Sequence, residues 1–174
     1  MKKAITVLRN MGPFRFAIKE ARETAFLVAK CFCVLHVTDN YLISPVITYG
    51  HSMLPTIDAT STIFLTERIS TRFGKVAHGD IVVLRLPHNP RQTVAKRLVG
   101  LEGDRITYVS SRLSKKKKKK HMFLVPKGHV WVEGDNKYNS NDSRSFGPVP
   151  YGLIESKLFW RVSPLKDFGS FWNK

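Results

Sequence analysis

Two hydrophobic periodicities divide this chain. Up to about residue 45, apolar residues recur at helical spacing, with Phe14, Ile18, Ala21 and Ala25 leading into the run AFLVAKCFCVLHV over residues 25–37. That run is short for a bilayer span, which takes about 20 residues, and Lys30 interrupts it. The run favours a buried or interfacial amphipathic helix slightly over a spanning one. Pro45 pushes its predecessor out of helical geometry, which puts the end of this segment near residues 44–48. From Val46 onward the pattern changes to short alternating runs bounded by turn residues. Strands are expected at 62–66, 80–86, 93–100, 105–109, 122–125, 129–133 and 158–162, with turns at Gly79-Asp80, Gly103-Asp104 and Gly134-Asp135. The expected architecture is mainly β: residues 1–45 form a basic N-terminal segment with a membrane-anchor helix, and residues 46–174 form one compact β domain.

Composition changes that picture only at its edges. The chain has 174 residues, with 29 Lys+Arg against 13 Asp+Glu. The excess sits mostly in the N-terminal arm and in one block, Lys115 to Lys120, read as a solvated loop. A nucleic-acid footprint would interleave cations with stacking aromatics on one face, and this placement argues against one. Cys31 and Cys33 are too close to bridge each other, and no histidine set has ligand spacing, so neither metal nor cofactor is expected.

Three stretches carry candidate chemistry. In Gly50-His51-Ser52-Met53-Leu54-Pro55-Thr56, a serine sits in a Pro-limited turn where the extended region begins. In the strand 93–100, alternation places Val94, Lys96 and Leu98 on one face and Arg97 on the other. An ammonium on an apolar face either reaches out to water along its stem or loses its charge, because desolvation lowers a lysine pKa. A neutral amine can act as a general base and activate a serine hydroxyl. The third stretch runs from Gly134 to Pro148. There Asp142 and Arg144 can form a charge-assisted pair, and Ser140 can donate towards a neighbouring amine.

In this order, the three stretches resemble the type I signal peptidases, serine proteases with a Ser/Lys dyad. Ser52-Met53-Leu54-Pro55-Thr56 is similar to the nucleophile box and Lys96-Arg97-Leu98-Val99-Gly100 to the general-base box. Gly134-Asp135-Asn136 with Asn139-Ser140-Asn141-Asp142-Ser143-Arg144 is similar to the last box. The resemblance implies a signal-peptidase β fold without a cofactor, with Ser52 as nucleophile and Lys96 as base. It further implies that Ser140 orients the amine, that Asp142 and Arg144 hold the loop, and that the Ser52 backbone N–H faces the oxyanion. Gly50 stands where some bacterial members have a second donor, and His51 where relatives often have Pro. The 128–133, 148–154 and 164–169 stretches are similar to the mitochondrial inner membrane proteases of this family. That likeness implies an anchored enzyme facing the intermembrane space, precursor proteins as substrates and a related second subunit as partner. A bacterial or thylakoid processing peptidase, a self-cleaving repressor-type protease and a non-catalytic basic binding module stay open as alternatives.

Overall fold

The computed structural model describes residues 2–109 and 120–170. The chain divides into two compact units, Met1–Tyr41 and Leu42–Lys174. The first is one helix, α1 (Lys2–Val37), continued by a π-helical turn over Thr38–Leu42. Its large apolar side chains from Phe14 to Val37 are exposed. Because helical winding does not stop at the short run of residues 25–37, the apolar stretch Phe14–Leu42 reaches 29 residues, enough by length and composition to cross a membrane. The chain leaves the helix at Leu42, ahead of the expected 44–48, and Pro45 lies inside the first strand instead.

The second unit is built on an antiparallel sheet. Its elements are β1 (Ile43–Thr48), β2 (Thr62–Glu67), the single turn α2 (Ile69–Arg72), β3 (Ile81–Leu86), β4 (Asn89–Gly100), β5 (Arg105–Val109) and β6 (Lys120–Leu124). After these come β7 (His129–Glu133), the single turn α3 (Ser143–Phe146), β8 (Val149–Pro150), β9 (Ile154–Ser163) and β10 (Gly169–Ser170). The strand order is β1-β2-β9-β3-β4-β7-β8, with β10 added to β9, while β5 and β6 form a separate hairpin. Residues 110–119, which carry most of the lysine block, lie outside the described residues.

β3 shows why this sheet holds. Ile81-Val82-Val83-Leu84 is an unbroken apolar run, and both of its faces are buried. Val82 and Leu84 pack with Leu98, Val130, Val132 and Val149, whereas Ile81 and Val83 pack with Met53, Ile57, Phe64 and Leu158. Met53 and Ile57 thereby pin the turn that follows β1 onto one face of the sheet. Lys157 on β9 is 4% exposed and is neutralised by Asp80 at 2.9 Å, just ahead of β3.

Candidate active site

Lys96 lies in the middle of β4, paired with Val82 of β3. Alternation turns it to the same side as Leu98 and Val94, which pack in the first of the two cores, and leaves it 2% exposed. Unlike Lys157, it has no carboxylate within ion-pair distance among the described residues. The amine therefore carries the cost of burial with little compensation. Desolvation pulls its pKa from 10.5 down to about 8; the nearby charges of Asp142 and Asp135 resist that fall, and Arg144 adds to it. Of the two fates open to a lysine on an apolar face, the fold imposes the dry one.

Ser52 is carried by the turn after β1. With Lys96 it lines one cavity of about 340 Å³, which Tyr49, His51, His88, Val94, Asn139 and Asn141 help to enclose. Ser52 also lines a second, larger groove of about 500 Å³ that runs between Val46–Gly50 and Asn89–Ala95. The serine thus stands where a groove open to an extended chain meets the pocket holding the buried amine. β4 pairs with β7 only from Arg97 to Gly100, and β1 is the sheet's edge strand. Backbone edges are accordingly left on both sides of that groove for an added strand.

The loop after β7 clamps the serine turn. The Asn136 N–H donates to the Ser52 carbonyl at 3.1 Å, and its side-chain amide donates to the His51 carbonyl at 2.9 Å. Gly134 is required by close approach rather than by turn conformation: a Cβ there would lie 2.5 Å from the Ser52 carbonyl oxygen and overlap the Ser140 side chain. Asp142 is fully buried and caps α3, accepting from the Gly134 N–H at 2.9 Å and from two nitrogens of Arg144 at 2.9 and 2.6 Å. Burial pushes its carboxyl upward, but these donors outweigh burial and hold it below the usual carboxylate range. Arg144 also donates to the Lys137 carbonyl, closing the loop. The expected Asp142–Arg144 pair is formed. The expected bond from Ser140 to the lysine amine is not: Ser140 Oγ is buried and makes no hydrogen bond. Its hydroxyl lies close enough to the Asp142 carboxylate to help hold that carboxyl low.

One cluster escaped the sequence reading. Arg97, on the opposite face from Lys96, grips Asp135 with two bonds of 2.8 and 2.7 Å and donates to the Gly79 carbonyl. Asp135 accepts in turn from the Thr56 hydroxyl, and Arg161 donates to the Thr56 carbonyl. Burial alone would raise the Asp135 carboxyl, but Arg97 and Thr56 keep it low. This cluster ties the serine turn, the lysine strand and the loop after β7 to one another. The register of β4 against β7 brings it together, pairing Arg97 with Glu133 two residues before Asp135.

A buried amine with no ion-pair partner among the described residues, sharing a pocket with a serine beside a strand-lined groove, suits a peptidase. Residues 21–119 and 110–163 match the family described as signal peptidase, peptidase S26. Subunit 1a of the mitochondrial ATP-independent inner membrane protease of Arabidopsis thaliana is 49% identical over 166 residues, covering 95% of this chain and 98% of its own. Mitochondrial inner membrane protease subunit 1 of Homo sapiens is 43% identical, covering 79% and 80% respectively. Subunit 2 of the protease of Schizosaccharomyces pombe is 34% identical, covering 78% and 73%. The chain belongs to the signal peptidase family, and it is a serine endopeptidase of that type.

Proposed function

We propose that this chain is a membrane-anchored endopeptidase of the mitochondrial inner membrane that removes sorting sequences from precursor proteins, with Ser52 as nucleophile and Lys96 as general base. The observation that carries the assignment is the contrast between two buried lysines: Lys157 has its carboxylate, whereas Lys96 has none in ion-pair range among the described residues and shares a cavity with Ser52. Neutral Lys96 takes the hydroxyl proton as Ser52 Oγ attacks the scissile carbonyl carbon, and the Ser52 backbone N–H supports the oxyanion. The lysine then hands that proton to the departing amine, which leaves an acyl-enzyme. In the second half Lys96 takes a proton from water, the hydroxide attacks the ester carbon, and the proton returns to Ser52 Oγ as the acid leaves. Asp142, Arg144 and Gly134 hold the loop against the serine turn, and Ser140 borders the site. The groove beside Ser52 suits a substrate bound in extended form.

The location rests on the relatives' names and on the 29-residue apolar stretch. Residues 1–45 act as the anchor and residues 46–174 as the catalytic domain. The basic cluster ahead of the apolar stretch stays on the matrix side, leaving the catalytic domain in the intermembrane space. Likeness to both subunit 1 and subunit 2 proteins supports pairing with a related second subunit. The test is cleavage of precursor proteins by detergent-solubilised full-length chain, with and without that second subunit. Wild type is expected to process them and Ser52→Ala to bind without cutting. Undiminished cutting by folded Ser52→Ala would remove Ser52 from the nucleophile's place.

A further inference from the structure

The β5–β6 hairpin has two contrasting faces. Its inner face is aromatic: Tyr108 and Phe123 pack on the buried Trp131 with ring centroids 4.8 and 5.4 Å apart. Its outer face is formed by the cross-strand pairs Arg105–Leu124, Thr107–Met122 and Val109–Lys120, all exposed. Met122 is 74% and Leu124 59% exposed, a poor arrangement for a face meeting only water. Lys120 is the last of six consecutive lysines, so five further positive charges directly precede this face in the chain.

We propose that this outer face docks on an anionic phospholipid surface, Met122 and Leu124 entering the interfacial layer while Arg105 and Lys120 meet the headgroups. Cations alternating with flexible aliphatic side chains on one face match an interface that is apolar inside and negatively charged at its rim. A nucleic acid would call for aromatic platforms, and every aromatic of the hairpin is turned inward. A second copy would set like charges against each other. Cleavage is not the readout of the test, so the proposal stands or falls separately from the catalytic assignment.

The full chain, with Cys31 and Cys33 changed to Ser, is reconstituted in vesicles of phosphatidylcholine alone or mixed with phosphatidylglycerol. An environment-sensitive fluorophore on Met122→Cys reports contact, and one on Lys75→Cys is the control. The expected result is a blue shift and severalfold quenching by lipid-borne spin labels, confined to Met122→Cys in anionic vesicles and reversed by high salt. Replacing Arg105 and Lys115–Lys120 with Gln should abolish it. So should Met122→Ser with Leu124→Ser, read from a fluorophore on Val109→Cys, with circular dichroism unchanged because Val109, Met122 and Leu124 are exposed. A Met122→Cys signal that ignores anionic lipid, or that appears only when an acidic protein is added to neutral vesicles, overturns the proposal.

Discussion

If Lys96 is the base, the rate must follow its deprotonation. With the amine at about 8, the reactive neutral fraction is about 9% at pH 7 and about 91% at pH 9. Raising the pH across that interval should therefore increase kcat/KM about tenfold, and the limb should approach a slope of one below its midpoint. The sign follows from the shift: burial disfavours the ammonium, so the base is freed more than two pH units earlier than an exposed lysine would be. The assay is cleavage of an internally quenched peptide carrying no group that titrates between pH 6 and 10, under conditions that report kcat/KM of the free enzyme. His51 and His88 line the same cavity and offer the competing base. A limb centred near 6.5, or one abolished by His88→Gln, would transfer the role to histidine. A flat profile would refute the argument from burial itself.

Removing the charge should help the fold while ending catalysis. The fall from 10.5 to about 8 means that holding Lys96 charged costs the folded state about 3 kcal/mol below pH 8, a deficit that closes as pH rises towards 10.5. Lys96→Met should thus resist denaturant better than wild type at pH 7, with the advantage shrinking between pH 8 and 10.5. Asp142→Asn removes the charged partner of a guanidinium only 8% exposed, leaving it Glu133 at 4.0 Å and the Lys137 carbonyl, and should destabilise by about 1–3 kcal/mol in chemical denaturation. Because the Asp142 charge supports the ammonium, the same variant should move the kcat/KM limb to lower pH. Gly134→Ala drives a methyl group into the Ser52 carbonyl and Ser140; a loss of about 1–3 kcal/mol and reduced kcat are expected. Arg97→Lys gives up the paired bonds to Asp135 and should lower kcat more than KM rises, measurable on the same peptide.

Most of the sheet could be read from alternation because its strands have one or two apolar faces in register with a core. β3 and β7 are the clearest, with Val82, Leu84, Val130 and Val132 all buried. β1 was missed because Ile43-Ser44-Pro45-Val46-Ile47-Thr48 carries a proline; it is tolerated there because β1 is the edge strand. The early half of β4 escaped for the same reason: Pro90 lies where no strand pairs on the outer side. The start of β9 was hidden by Ser156 and Lys157, polar residues that Asp80 and the sheet make acceptable inside. Of the proposed site, Lys96 and the Asp142–Arg144 pair stood out by residue type and local spacing, and Ser52 through the resemblance of its turn. The cluster of Arg97, Asp135, Thr56 and Arg161 could not, since its members meet only through strand register and the return of β9.

That cluster also explains how a dry lysine can be kept next to a groove that must admit a substrate. Lys96 and Arg97 are neighbours on opposite faces of β4, so one strand presents its readily deprotonated amine to the pocket and its permanent cation to a carboxylate on the other side. Asp135 spends its charge on Arg97 and Thr56 rather than on the lysine. Asp142 is likewise occupied by Arg144 and the Gly134 amide. Each acid near Lys96 is thus engaged by a stronger donor, and its charge offsets only part of the desolvation of the amine. Both acids come from the loop that also holds Ser52 through Asn136, so amine dryness and serine placement depend on the same closure. Loosening the loop with both carboxylates kept should therefore raise the apparent pKa of the limb and lower its plateau together, whereas damage confined to the groove would raise KM alone.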